Sequence, residues 1–367
     1  PYEAHLAPQK AIYRPPTRAM PNTYAIDMDY CTRCGRCIEV CPTDAIDLYM
    51  EEGHSKIEVG AVLLSPGFAP FDARLKGEFG YGFYDNVLSS IEFERMVSLA
   101  GSTQARLKRP SDGQPPRRLA FIHCVGSRDN NCGAGYCSSV CCMYTAKQVS
   151  VAKKLDPDLE VTVFYMDIRA FGKDFERYFD EVQNQPGVTY RRSMVSSIHQ
   201  YQRSRDLCLK YVGEDGSLRE EDFAMVVLSV GFAPPEGFQK LGQALGINQN
   251  EYGFAMTSDF TPTLSSRPGV FVGGAFREPK DVPETVIEAA AAAGEVARLL
   301  AEGRIPAKKT SEVSTPQRDV SDEEPQVGVF VCHCNGGLDG LIDTAQVAAH
   351  AQRLWGVALA QVVEDAC

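Results

Sequence analysis

The chain has 367 residues, 44% of them hydrophobic and 23% charged, with a formal net charge of −11. That length allows two or three domains, and the acidic balance argues against nucleic acid as a partner. No apolar run approaches the ~18 residues of a membrane span, and the first residues, PYEAHLAPQK, show neither the basic patch nor the apolar core of a signal peptide.

In chain order, residues 1–23 read as a Pro-rich connector, and 24–50 as a compact segment holding the first group of cysteines. KIEVGAVLLSPGFAPFD (56–72) predicts a buried strand ending at Gly67. Residues 73–116 look irregular around one helix, SSIEFERMVSLAG. RRLAFIHCVG then predicts a strand, SSVCCMYTAKQVSVAKKL a helix, LEVTVFYMD a strand and GKDFERYFDEVQ a solvated helix. This alternation predicts an α/β fold with a doubly wound parallel sheet. DLCLKYVG and EEDFAMVVLSVGFAPP add two strands joined through the turn EDGS, and RPGVFVGGA a last buried one. In DVPETVIEAAAAAGEVARLLAEG, Asp281 is a candidate N-cap, Pro283 a helix starter, Glu284 the partner in a capping box and Gly303 a stop. Residues 304–326 read as a polar linker, and 327–367 as the start of a further module.

Thirteen cysteines cluster at 31–41, 124–142 and 332–334, with Cys208 and Cys367 alone. Such clusters, in a chain without an evident export signal, point to metal or redox chemistry in a reducing cytoplasm. CTRCGRCIEVCP is C-x2-C-x2-C-x3-C-P, the bacterial ferredoxin run for a 4Fe–4S cluster, placing Cys31, Cys34, Cys37 and Cys41 as ligands. A zinc site, the rival, favours two separated C-x2-C pairs. In two-cluster ferredoxins the fourth cysteine serves the other cluster. Cys41 therefore either closes its own cluster or pairs with a matching run upstream of Pro1, and the absence of an initiator Met favours the second.

The motifs AIDMDYCTRCGRCIEVCP, CVGSRD…YCSSVCCMYTAKQ, VTVFYMDIRAFGKDFE, VVLSVGFAP and GVFVGGAFREPKDVPETVIEAAAAA occur in this order. Together they resemble the flavin-bearing A component of heterodisulfide reductases and its relatives in quinone-interacting and benzoyl-CoA-reductase complexes, over nearly residues 10–300. VGVFVCHCNGG resembles the beginning of the same family, as if one unit were followed by the front of a second within a tandem polypeptide. The resemblance implies a thioredoxin-reductase-like flavoprotein with two dinucleotide-binding domains and an inserted ferredoxin-like α+β segment. Residues 51–118 and 236–303 would form parts of the FAD domain, and 119–235 the second nucleotide-binding-like domain. It further implies FAD, several 4Fe–4S clusters, electron transfer that is bifurcating in part of the family, and partner redox subunits: iron–sulfur proteins with a hydrogenase, dehydrogenase or reductase. The family's G-x-G-x-x-G loop for the FAD pyrophosphate is absent, and is expected upstream of residue 1.

On the flavin side the expected contacts are Gly67, Phe68, Gly231, Gly273, Gly274, Lys280, Asp281, Val282 and Pro283. Glycines at strand ends let a cofactor approach the backbone, and the helix start at 281–284 would offer partial positive charge to a reduced flavin. The strand at 119–123 leads, in the reductase fold, to a second phosphate loop. Here Gly133-Ala-Gly135-Tyr-Cys-Ser138 fits that pattern poorly, and five thiols stand in its place. Cys137 and Cys141 are one helical turn apart and can face one ligand. The expected ligands are Cys124 at the strand end, Cys137, and either Cys141 or Cys142, since adjacent helical side chains diverge by ~100°; Cys132 could swing in, and the CHC module could supply the rest. Inert buried thiols and dithiol chemistry are the alternatives. Cys332, Cys334 and Cys367 read as ligands of the following unit, His123 and His333 as packing residues or ligands, and Cys208 as core. No general acid–base set stands out. A nucleotide-dependent disulfide reductase using Cys137 and Cys141, or a flavin-less docking scaffold, remain the other functional readings.

Overall fold

The computed structural model describes residues 4, 6, 10–14, 23–51, 53–301, 322–333 and 341–364. It divides into two compact units, Pro1–Gly303 and Arg304–Cys367.

The first unit opens with a pair of two-residue strands, β1 (Ile12–Tyr13) and β2 (Ala25–Ile26), and a single-turn helix α1 (Arg36–Glu39). Next come β3 (Val62–Leu64), β4 (Ala69–Pro70), β5 (Val87–Ser89) and α2 (Ser90–Met96). β6 (Arg118–Val125), α3 (Cys141–Leu155), β7 (Glu160–Tyr165), α4 (Phe175–Gln183) and β8 (Val188–Arg192) follow as two βαβ steps. β9 (Val195–Gln200), β10 (Leu207–Val212) and β11 (Leu218–Phe223) form an antiparallel sheet. β12 (Met225–Val230), β13 (Phe232–Ala233), α5 (Phe238–Leu245), β14 (Val270–Val272) and α6 (Val282–Ala301) complete it.

The central sheet has the order β5-β12-β6-β7-β8, and all four pairings are parallel. Its strands are covered on both faces, which is why they read as unbroken apolar runs. On one face Ile122, Phe164 and Val226 pack against Leu207, Leu209 and Phe223 of the antiparallel sheet. On the other, Leu119, Phe121, Val163 and Val227 meet Phe93 and Met96 of α2 and Ala146 and Val149 of α3. A smaller parallel pair, β3 with β14, carries its own core around Phe238, Val272 and Phe276.

Two expectations change. The second domain begins before residue 119, because Val87–Leu88–Ser89 pairs with Val226–Val227–Leu228 and makes β5 an edge of the central sheet. The run EEDFAMVVLSV is two strands in different sheets, since the chain crosses at Ala224 from the β10–β11 hairpin into the parallel sheet.

In the second unit β15 (Val327–Cys332), α7 (Thr344–Ala351) and β16 (Val357–Val363) make one parallel βαβ step. Cys334, Cys367, Gly303 and the linker residues 304–321 lie outside the described residues.

Candidate functional site

The carboxyl ends of β3 and β14, the start of α6, the start of α3 and the loop after β7 enclose a cavity of ≈ 750 Å³, within the usual range for a cofactor pocket. Its wall is largely apolar: Leu63, Val140, Met143, Phe171, Phe175 and Val286 all contribute. Phe68 and Phe232 stack within it, with ring centroids 3.5 Å apart and planes 15° from parallel. Gly67 and Gly274 have φ of +78° and +72°, a backbone that favours glycine, and a Cβ at Gly67 would meet nothing within 4 Å. The glycines thus leave open wall where a planar ring can lie against the main chain.

Eight of the expected flavin contacts line this cavity: Gly67, Phe68, Gly273, Gly274, Lys280, Asp281, Val282 and Pro283. Gly231 does not. It sits between strand ends, donating to the Val125 carbonyl at 2.8 Å and accepting from the Phe71 N–H at 2.9 Å. The start of α6 carries the capping box expected from the sequence. Asp281 Oδ1 accepts the Glu284 N–H at 2.8 Å, and Glu284 Oε2 accepts the Asp281 N–H at 3.0 Å. This box also places two carboxylates at the helix end whose partial positive charge was expected to face the flavin. The cation that reaches the wall there is Lys280, whose side chain is 3% exposed and paired with Glu288.

The sulfur group lies on the other side of that wall. Cys124 ends the straight part of β6 with φ of 60°. The chain then folds back through an Asp129–Ala134 bridge and a 3-10 turn, and Ser139, with φ of 66°, breaks it again before α3 starts at Cys141. Cys137 is therefore in the loop and not one helical turn below Cys141. The Ser139 N–H donates to Cys137 Sγ at 3.3 Å, and the Arg169 N–H to Cys142 Sγ at 3.5 Å.

Cys124, Cys137, Cys141 and Cys142 lie close enough to perturb one another. Burial pushes the Cys124 thiol up to about 11, with Cys142 and Cys137 adding to it and Arg128 opposing. Burial, then Cys124, raises Cys141 further, and burial raises Cys142 with help from Cys137. Burial thus keeps Cys124, Cys141 and Cys142 protonated, and metal ligation would remove those protons. Cys141 and Cys142 occupy the first two positions of α3, with Sγ 3.8 Å from the Val230 carbonyl and 3.9 Å from the Asp167 carbonyl, respectively. Cys132 does not swing in: its Sγ faces Asp129 Oδ2 at 3.6 Å, and Asp129 pairs with Lys76 at 2.8 Å. His123 is buried with both ring nitrogens unpartnered, and burial lowers its pKa to about 4. Cys208 is buried on β10.

Nucleotides bind open α/β sheets at the switch point of strand order, which here lies between β6 and β12. The loop fills it. Ser138 Oγ accepts the Phe232 N–H at 2.9 Å, the Ser138 N–H donates to Ser127 Oγ at 2.8 Å, and Tyr136 Oη donates to the Phe232 carbonyl at 2.7 Å.

In the first cysteine run, Gly35 has φ of 74° ahead of α1. The Arg33 N–H points to Cys31 Sγ and the Ala45 N–H to Cys41 Sγ, each at 3.4 Å. The Arg36 N–H lowers the Cys34 pKa, and those of Thr43 and Ala45 lower that of Cys41. Amides directed at sulfur are what an anionic cluster needs. Among the described residues, no three Cys, His, Asp or Glu side chains gather as a single-ion site. Cys332 ends β15, with Sγ 3.8 Å from the Glu364 carbonyl.

A ferredoxin-type run and a thiol group at the switch point of a dinucleotide-binding frame define an iron–sulfur protein of the oxidoreductase class. Residues 24–47 match the 4Fe-4S binding domain family. Over 301 residues, 81% of this chain and 45% of the relative, the sequence is 40% identical to the A component of the H(2):CoB-CoM heterodisulfide,ferredoxin reductase of Methanothermobacter thermautotrophicus. It is 38% identical to the iron-sulfur A component of the CoB–CoM heterodisulfide reductase of Methanocaldococcus jannaschii, over 90% of this chain and 50% of that one. Among solved structures, thioredoxin reductase of T. acidophilum superposes with a TM-score of 0.42 at 15% identity, covering 66% of this chain and 65% of that one. Over most of its length the chain is homologous to heterodisulfide reductase A components, and it spans about half the length of the curated relatives it matches. No helix among the described residues is long and apolar enough to cross a membrane.

Proposed function

We propose that this chain is the redox core of an electron-transfer subunit in a cytoplasmic heterodisulfide-reductase-like complex. In this reading FAD lies in the ≈ 750 Å³ cavity. One 4Fe–4S cluster is held by Cys124, Cys137, Cys141 and Cys142, and another involves Cys31, Cys34, Cys37 and Cys41. FAD would supply the exchange between paired and single electrons, and the clusters the carriage of single electrons to partner redox subunits. Division of each pair between two acceptors, as in bifurcating enzymes, belongs to the same proposal.

The observation that carries it is the shared wall. Ser139 and Val140, between Cys137 and Cys141, line the cavity, as does Met143 beside Cys142. Arg169 lines it too, while its N–H donates to Cys142 Sγ at 3.5 Å. A ring in the cavity and a cluster on the thiols would be separated by little more than these residues. Phe68 and Phe232 position the ring, Gly273 and Gly274 admit it to the backbone, and Lys280 supplies charge. The filled switch point argues against the alternative of a pyridine-nucleotide-dependent disulfide reductase.

The test is anaerobic native mass spectrometry of the full-length polypeptide with its partners, with iron, acid-labile sulfide and flavin counted together. FAD and cubane iron in one chain support the reading. A thiol count that changes by two per chain without iron supports the disulfide reductase, and a colourless iron-free protein the scaffold.

A further inference from the structure

We infer that Glu288 is the positioning residue of the cavity floor: it fixes the Lys280 ammonium and sets how much positive charge the cavity presents to its occupant. The inference rests on the flavin reading above.

Glu288 is one of two buried positions on α6, a 20-residue helix otherwise exposed or half-buried. Its Oε2 accepts the Gly274 N–H at 2.9 Å. Its Oε1 accepts Lys280 Nζ, and also Arg277 Nη1 at 2.5 Å. Three donors from three points of the chain thus converge on one carboxylate whose side chain is 10% exposed. Arg277 is tied further to Thr257 Oγ1 at 2.9 Å and to Glu278 Oε1 at 2.6 Å. Glu278 Oε1 also lies 3.7 Å from Lys280 Nζ.

The helix needs no such residue to start, since Asp281 and Glu284 already cap it. Two cations beside an apolar cavity do need one, because unpaired buried charge is costly. Of the bonded groups, Gly274 and Lys280 face the cavity. Glu288 therefore holds both a backbone amide and an ammonium in place at the wall, and offsets the ammonium's charge. Without its negative charge, Lys280 and Arg277 would share only Glu278, whose side chain is 51% exposed and better screened. The potential inside the cavity would rise, and a flavin that gains negative charge on reduction would be reduced more readily.

The experiment uses the full-length polypeptide with bound FAD, equilibrated anaerobically against a reference dye. Glu288→Gln keeps the shape and one acceptor oxygen but removes the charge. It is expected to shift the equilibrium about tenfold towards reduced flavin, about 30 mV for a two-electron couple. Lys280→Met should move it by a similar factor the other way, and Glu288→Asp should stay within about threefold of wild type. Glu278→Gln, on the exposed rim, is a second probe that spares the buried network and should give a smaller shift of the same sign as Glu288→Gln. A role in folding alone would lower flavin content and thermal stability without opposed shifts from Glu288→Gln and Lys280→Met. Retained FAD with an unmoved potential in both glutamine variants, or shifts of one sign throughout, overturns the inference alone. Wild-type protein that binds no FAD overturns the functional reading and the inference with it.

Discussion

Gly231→Ala separates the packing role of this residue from cofactor contact. A Cβ at this position would lie 2.4 Å from Ser138 Oγ, 2.7 Å from the Gly126 carbonyl oxygen and 3.0 Å from Ser127 Cβ. The hydroxyl can rotate, but the carbonyl is backbone and Gly126 is itself hemmed in: a Cβ there would fall 1.9 Å from the Phe71 ring. The 126–138 loop must therefore move off the end of β12. Overpacking of this kind costs about 1–3 kcal/mol. Loss of the Ser138 Oγ bond to the Phe232 N–H, 2.9 Å long, adds about 1 kcal/mol. The sum of about 2–4 kcal/mol corresponds to a Tm lower by roughly 3–6 °C in a protein of this size. Ser138 is the neighbour of Cys137, so the variant should also lose about four iron atoms, one cubane's worth, with its flavin retained. Thermal unfolding by near-ultraviolet circular dichroism, with iron and sulfide analysis, checks this. Wild-type Tm and iron would refute the packing argument. Full iron with lost flavin would restore Gly231 to the flavin site.

Replacing Cys124, Cys137, Cys141 or Cys142 singly with Ser should remove about four iron atoms per chain, whereas Cys132→Ser and Cys208→Ser should not. Equal iron loss from Cys132→Ser would contradict its placement beside Asp129. In the iron-free chain, thiolate forms at lower pH where the pKa is lowered. Cys34 and Cys41 should therefore be alkylated at lower pH than an ordinary thiol, and Cys124 should be half-reactive only near pH 11, as pulse alkylation with mass spectrometry would register. Coincident pH profiles would show that the amides and burial around these sulfurs do not act as described. Phe232→Ala, which removes the Phe68 stacking partner, should weaken FAD binding by about tenfold, in line with ~1 kcal/mol for a ring pair plus lost area. Unchanged affinity by flavin-release titration would place the ring elsewhere.

Legibility in the sequence followed the range of the interactions. RLAFI, VTVF and AMVVLSV read as strands because burial on both faces leaves them continuously apolar. The same continuity hid the crossing at Ala224, where no polar residue marks the change of sheet. β5 has three residues, and its identity comes from β12, about 140 positions away in the chain, so no local pattern announces it. The first cysteine run is legible because four cysteines fall within 11 residues. The second group is legible as a group, but its geometry is not. The helix start at Cys141, and hence the place of Cys137, depends on the left-handed Ser139. Glu288 was invisible: in ETVIEAAAAA it reads as a surface acid on a helix, and only the tertiary approach of Gly274, Arg277 and Lys280 gives it partners.

The two helix starts at the cavity explain why one strand-to-helix junction carries sulfur. A helix amino end leaves unpaired N–H groups and partial positive charge, which phosphate loops exploit. At α6 that charge is met by the helix's own carboxylates, Asp281 and Glu284. At α3 the capping position is Val140, with no side chain bonded to the helix start, and Cys141 and Cys142 are its first two residues. In the proposed reading an anion would be received at α3, in the place where a nucleotide phosphate would lie in an open sheet. The crevice for the rest of a nucleotide is occupied by Tyr136 and Ser138. A cubane held by thiolates is compact, carries negative charge and brings its own ligands to that helix end. Bound there as proposed, it would use the electrostatics of the phosphate site and need none of the missing space.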